Sequence, residues 1–362
     1  MLYTAFLTPD AGAASVTATI HRQEFVMTVN LTPPRPVIAL AMGDPAGISP
    51  ELSARLISSD CVREAATLVV IGDRRVFDEG ARVAALDLAL PVMERGDYSK
   101  SDVAEHSFID LGNLDPSHVA KGVATLTGGQ FAIENFRLAL ELAKDGKVDA
   151  VCFTPFNKKA MRYAYPAYDD EIRFIADVLK CDRKMREFNV LEKIWNARVT
   201  SHIPIRDVAS HVTREAILAE LELTRRCLIE AGIDEPKIAV AGLNPHAGDG
   251  GTFGREEIDT IAPAIARAVE YGWKVEGAFP ADTVFLTALR NGFHAVLTMY
   301  HDQGQIAMKM MGFDRGVTMF GGLPFPVCTP AHGTAYDIVD QGIANVGASE
   351  QAVLLAARMA AR

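Results

Sequence analysis

Residues 294–304 read HAVLTMYHDQG. Val296 to Tyr300 is a short apolar run of strand composition that stops abruptly at His301, Asp302, Gln303 and Gly304. A buried strand has no packing need for a histidine and an aspartate at its end, so the run reads as a strand that delivers polar groups to a loop. The same construction recurs in VIALAMGDP (37–45), AATLVVIGD (65–73), VDAVCFTP (148–155), NARVTSHIP (196–204) and KIAVAGLNPHAG (237–248). Between these runs lie segments with a helical apolar period. They are 130–144 with a turn at Asp145-Gly146, 171–180, 214–232 ending at Gly232, 256–272, and 349–362. In GDPAGISPE (43–51), Ser49-Pro50-Glu51 reads as an N-cap, a proline at the first helical position and an acid in the first turn. Strands alternating with helices over this length predict an α/β fold with a mostly parallel sheet covered on its faces.

With 362 residues, 49% of them hydrophobic, the chain can bury one large core or two moderate ones. A formal net charge of −10 argues against a nucleic-acid binder, although a few local basic residues can still build a site for an anionic substrate. Cys61, Cys152, Cys181, Cys227 and Cys328 are scattered and form no CxxC pair. That usage predicts reduced thiols in a cytoplasmic protein. No apolar stretch reaches the length of a membrane span, so no membrane association is expected. Residues 1–34 lack the basic and continuous apolar regions of a secretory signal and read as a poorly ordered extension, with Met27 as a natural start.

Three histidines share one kind of position. His202, His246 and His301 each follow an expected strand, at the edge where parallel sheets build sites. Three neutral imidazoles with open positions make a site for a divalent metal that also accepts substrate oxygens. Beside His246, the glycines Gly248, Gly250 and Gly251 precede a helix and could cradle an anion or a pyrophosphate, or simply make a long turn. No GxGxxG lies between the first strand and the first helix, so a nicotinamide cofactor would bind in another way.

The segments GDPAGISPE (43–51), TSHIPIRD (200–207), GLNPHAGDGGTFGREEIDTI (242–261), PADTVF (280–285), MYHDQG (299–304), GFDRGV (312–317) and GLPF…HGTAYDI (322–338) resemble the 4-hydroxythreonine-4-phosphate dehydrogenase family. HGTAYDIVDQGIAN (332–345) is also similar to the adenine-binding loop of isopropylmalate and isocitrate dehydrogenases. The resemblance implies their two-domain fold with a cleft. One α/β domain, 35–150 with 305–362, would hold the cofactor; the other, 151–304, would hold metal and substrate and form the dimer. It implies a homodimer with one divalent metal (Zn, Co, Ni or Mn) per active site at the interface, held by His202, His246 and His301. NAD or NADP would be bound through His332, Gly333, Thr334, Asp337 and Asn345. Asp302 and Gln303 would orient the ligands or touch substrate, and Lys309 would be the lysine that binds substrate or relays a proton.

The chain departs from the family where substrate binds. The family's Gly-His-Thr-Glu segment is replaced by residues that include Asp169, Asp170 and Glu171, an asparagine by Thr318, and an arginine by Val327. Fewer phosphate ligands and more acids point away from a phosphate ester. The reading that follows is a decarboxylating, metal-dependent dehydrogenase of aromatic catabolism. Its substrate would be an unphosphorylated cis-dihydrodiol carboxylate, such as terephthalate 1,2-cis-dihydrodiol on the way to protocatechuate, with Asp170, Glu171, Thr318 and Val327 in the pocket. The alternatives are 4-phosphohydroxy-L-threonine oxidation or, in another class, a phosphate acyltransferase-like or non-catalytic metal-binding protein.

Overall fold

The structure, a computed structural model, describes residues 35–94 and 98–362; the extension expected over 1–34 lies outside the described residues. The strands are β1 (Val37–Ala41), β2 (Thr67–Gly72), β3 (Val92–Met93), β4 (Ser107–Asp110), β5 (Ala150–Phe153) and β6 (Arg186–Leu191), followed by β7 (Ile194–Arg198), β8 (Lys237–Ala241), β9 (Lys274–Phe279), β10 (Ala295–Thr298), β11 (Val317–Gly321) and β12 (Val327–Pro330). They form one sheet in the order β3-β4-β2-β1-β5-β12-β11-β6-β7-β10-β8-β9. The expected α/β class with a mostly parallel sheet is what the structure has.

The sheet consists of two parallel blocks. The first is β3 to β12 in that order, and the second is β7-β10-β8-β9. Strands β11 and β6 join them through three antiparallel pairings, β12–β11, β11–β6 and β6–β7. Three reversals leave the two blocks running in opposite directions, so their C-terminal ends lie at opposite edges. The antiparallel centre is not among the sequence expectations. Its hairpin turns at Glu192-Lys193, between paired Leu191 and Ile194, without the Asn-Gly or Asp-Gly that announces such a turn.

Central strands such as β1, β2, β5 and β10 are buried along their whole length, as a sheet covered on both faces requires. Helices at Leu126–Lys144, Arg214–Glu230 and Gly347–Ala360 bury their apolar stripes against it. No helix among the described residues is long and apolar enough to cross a membrane.

Two local expectations change. Ser49 is the first helical residue and Ile48 the N-cap; the Ser49 hydroxyl instead donates to the carbonyl of Pro155 at 2.8 Å. The strand at 295–298 leads not into a loop but straight into a helix, His301–Gly312. Gly304 explains the close fit of that helix on β7. A Cβ there would lie 2.1 Å from Oδ1 of Asn196, a residue with no exposed surface.

Candidate functional site

Strands β7, β10 and β8 are neighbours and mutually parallel, so their C-terminal ends share one edge. His301 follows the central strand and heads its helix; His202 follows β7; His246 follows β8. Hydrogen bonds lace the three strand ends together. The amide and hydroxyl of Thr200 both donate to the carbonyl of Met299, at 3.1 and 2.8 Å. Gln303 accepts from the Met299 amide at 2.7 Å and donates to the Gly242 carbonyl at 2.8 Å. The role expected for Gln303, holding groups in place, is therefore exerted on the backbone.

The His202 and His301 ring centroids lie 5.6 Å apart. Two imidazoles bound through nitrogens at about 2.0–2.1 Å to one tetrahedral ion would put their centroids about 5 Å apart, so this pair fits a shared divalent metal. Nδ1 of His301 lies 2.7 Å from Oδ1 of Asp302 and must carry the proton towards it, which leaves Nε2 bare for an ion. His246 stands apart. Its ring is near Phe253, 6.2 Å between centroids, and among the described residues of one chain no three His, Cys, Asp or Glu side chains come together around an ion.

The loop that carries His246 has an uncommon backbone. Residues 246–250 all have positive φ, including the non-glycines His246 (55°), Ala247 (52°) and Asp249 (42°). Glu257 holds the entry to this loop. It is 5% exposed, and its Oε1 accepts from the Leu243 and Asn244 amides at 2.7 Å each. Asn244 in turn donates to Oε2 of Glu257 at 2.9 Å, and the approach needs Gly254, where a Cβ would lie 2.3 Å from the Asn244 side chain. The sequence reading missed Glu257; the signal was an acid three residues past Gly254, within the GREEID segment.

A cavity of about 300 Å³ lies over β6, β11 and the ends of β5 and β12, beside the helix 301–312. Lys158, Glu171, Glu187, Lys309, Thr318 and His332 line it. Eight residues of helix rise carry Lys309 about 12 Å from His301, so one helix links the histidine edge to this cavity. His332 donates from Nδ1 to the carbonyl of Gly333 at 3.0 Å, and its Nε2 is buried without a partner. That nitrogen is a free acceptor beside the cavity. A second cavity, about 450 Å³, holds Asp170, Arg198 and His202, and Glu187 lines both.

Arg198 stands between the cavities, 4% exposed. Its guanidinium donates to Glu187 at 2.8 Å, to Asn189 at 2.6 Å and to Ser201, the neighbour of His202, at 3.0 Å. Burial lowers its pKa from the ordinary arginine value, opposed by the Glu187 charge.

Other candidates fall elsewhere. Asp170 caps the helix Glu171–Leu179, accepting from the Arg173 amide at 2.9 Å. Val327 has no exposed surface; it packs in the core cluster that contains Phe153 and Phe320 and lines neither cavity. Gly248, Gly250 and Gly251 lie past the end of β8, whereas His332, Gly333, Thr334, Asp337 and Asn345 follow β12. Five interstrand steps, about 24 Å, and opposite sheet edges separate β8 from β12, so one chain does not bring these two cofactor sets together.

The loop after β12 is anchored to the segment after β1. The Ile48 amide donates to the Thr334 carbonyl at 3.1 Å, Glu51 accepts from the Ala344 amide at 3.0 Å, and Arg55 donates to the Gly342 carbonyl at 2.6 Å. Tyr336 donates its hydroxyl to Asp44, which is 1% exposed and also accepts from the Ala46 amide at 2.9 Å. Burial raises the Asp44 pKa, against the lowering by these hydrogen bonds. A raised folded-state pKa means that the contribution of neutral Asp44 is whole below the ordinary carboxylate range and is lost as pH climbs through the folded value. Asp44→Asn, which keeps Oδ1 as the acceptor for the Ala46 amide and turns its NH2 towards the Tyr336 oxygen as a donor, is therefore expected to stabilise the protein near neutral pH. The gain should vanish below the ordinary carboxylate range, as denaturant unfolding at both pH values would measure.

A family model described as pyridoxal phosphate biosynthetic protein PdxA matches residues 64–356. A Rhizobium meliloti protein provisionally named 4-hydroxythreonine-4-phosphate dehydrogenase 2 is 68% identical, over 90% of this chain and 94% of its own length. A Halalkalibacterium halodurans protein provisionally named D-threonate 4-phosphate dehydrogenase is 37% identical, over 90% and 97%. The crystal structure of 4-hydroxythreonine-4-phosphate dehydrogenase from Klebsiella pneumoniae superposes with a TM-score of 0.77 at 32% identity, over 91% of this chain and all of that one.

These likenesses overturn the cis-dihydrodiol reading. The terephthalate 1,2-cis-dihydrodiol dehydrogenase of Burkholderia xenovorans is 24% identical with a TM-score of 0.63, and shares the fold alone. The physical reason is at hand: the reading leaned on Val327, whose side chain faces the core, and overlooked Lys158, a second lysine beside Lys309. With dehydrogenases as relatives along nearly its whole length, this chain belongs to the PdxA family of pyridoxal phosphate biosynthetic proteins.

Proposed function

We propose that the chain oxidises a secondary alcohol on a short 4-phosphorylated hydroxy acid, of the 4-hydroxythreonine or threonate 4-phosphate kind, and passes the hydride to NAD+ or NADP+. Likeness over nine-tenths of the chain to dehydrogenases named for such substrates carries this reading. A cavity with Lys158 and Lys309 suits their anionic groups.

His202 and His301 would hold a divalent ion, completed by His246 where two copies of the chain meet in a homodimer. A bound divalent ion would supply Lewis-acid stabilisation of the substrate's alkoxide, and a bound nicotinamide would supply the hydride acceptor. The chain's own residues do the rest. Asp302 keeps His301 in one tautomer, and Lys309 binds an anionic group of the substrate. His332 offers Nε2 to a ligand hydroxyl, and Phe153, Phe156 and Met308 line the cavity and exclude water. The β-keto acid so formed would lose CO2.

Absorbance at the nicotinamide band tests this with 4-phosphohydroxy-L-threonine and D-threonate 4-phosphate, each beside its unphosphorylated counterpart. NAD(P)+ reduction is expected with a phosphorylated acid, lost with a chelator and restored by a divalent ion. Silence with both phosphate esters, or equal efficiency with the free acids, would overturn the reading.

A further inference from the structure

We infer that Lys158 is the residue with which this chain reads the phosphate group of its substrate, and that Glu171 is its counter-charge while the site is empty. The inference rests on the phosphorylated substrate proposed above and names the group that selects it.

A phosphate ester carries nearly two negative charges near neutral pH. The position where the family resemblance expects an arginine is Val327, fully buried, and no arginine lines the cavity. Its cations are Lys158 and Lys309. Its carboxylates are Glu187 and Glu171, but Glu187 is already engaged by the buried Arg198 at 2.8 Å. Glu171 therefore remains as the acid that Lys158 meets, with Nζ 3.6 Å from Oε2. That is longer than the ~2.7–2.9 Å of a charge-assisted hydrogen bond, and a pair so loose on a side chain 47% exposed is readily exchanged for a better acceptor.

The backbone makes the exchange geometrically possible. Lys158 opens the helix Lys158–Ala164 just past β5, and Oδ1 of Asn157 fixes that turn by accepting from the Lys159 and Ala160 amides at 3.0 and 3.2 Å. Glu171 sits on the first turn of its own helix, with its side chain 12% exposed. The ammonium is thus carried on a fixed base beside a carboxylate of the same cavity, where a bound phosphate would compete with Glu171 for it. Displacing Glu171 from Lys158 leaves two lysines for one dianion, the balance that Lys309 alone cannot supply.

The test is a sign. If the Lys158–Glu171 pair merely braces two helices, Lys158→Gln and Glu171→Gln should act alike. If Lys158 reads phosphate, they should act oppositely. Lys158→Gln should weaken inorganic phosphate binding and raise the KM for the phosphorylated acid about ten- to a hundredfold. Glu171→Gln, which frees the ammonium, should tighten phosphate several-fold, and Lys158→Arg should retain most of the affinity. Calorimetric titration with inorganic phosphate reads this without turnover, and thermal unfolding checks that each variant folds. The KM for NAD(P)+ separates the substrate's phosphate from the cofactor's and should stay put. Shifts in the same direction, unchanged phosphate binding in folded variants, or a change confined to the cofactor KM would overturn the inference. Failure of the wild-type protein to oxidise any phosphate ester would instead count against the proposed function, since phosphate binding is measured independently.

Discussion

His301→Ala is expected to lose metal affinity by at least about a hundredfold and nearly all turnover, with little change in the stability of the metal-free protein. Loss of a coordinating imidazole exceeds the 10- to 100-fold that removing a supporting hydrogen bond typically costs. Asp302→Asn, which touches only the support of Nδ1, should fall within that smaller range. The fold should tolerate both, because the His301 side chain is 34% exposed and that of Asp302 75% exposed. Equilibrium dialysis with zinc or cobalt, paired with unfolding curves in chelator, separates the two effects. Wild-type metal affinity in a folded His301→Ala protein would sink the three-histidine assignment.

Arg198→Ala should destabilise the protein more than any of the other substitutions, by about 3–5 kcal/mol in denaturant unfolding, because it strands a partly buried Glu187 without its counter-ion. Arg198→Met, which fills the space but carries no charge, should not rescue it while Glu187 remains. The double change Arg198→Met with Glu187→Leu should recover most of the loss, since replacing both partners removes the uncompensated charge. Arg198→Lys should fall between, since one ammonium cannot span Glu187, Asn189 and Ser201 as a planar fork does. Full stability in the alanine variant would show that the ion pair is dispensable.

Much of this was legible in the chain, for a reason that differs by feature. Strand-then-polar runs such as 294–304 exposed the alternation, because a doubly covered parallel strand is apolar throughout and its end is not. The His202–His301 proximity followed from the same logic. The antiparallel β6–β7 hairpin was hidden because its turn lacks a glycine or asparagine, and Arg186–Leu191 alternates weakly. Depth along one face was hidden as well. Val327 and Thr318 sit nine residues apart on paired strands and, by the register, on the same face of the sheet, yet Thr318 lines the cavity while Val327 lies further along that face, packed in the core with Phe153 and Phe320. Lys158 was passed over because nothing local marks a lysine at a helix start as a ligand. Its meaning appears only when β5 and the helix 301–312 are seen to wall one space.

The place of β12 in the sheet has a consequence for how the chain is born. It lies between β5 and β11, in the middle of the sheet, yet it follows every other described strand in the chain. The register pairs Cys328 with Cys152, and the helix Gly347–Ala360 packs on the same strands, with Cys152 donating to the Ala352 carbonyl. Until β12 emerges, β5 is a bare edge, a row of unpaired amides and carbonyls open to any strand that arrives first. A nascent chain stalled short of residue 327 would therefore be an aggregation hazard rather than a smaller protein, and the pairing of β12, not collapse of the first half, is the step that closes the sheet.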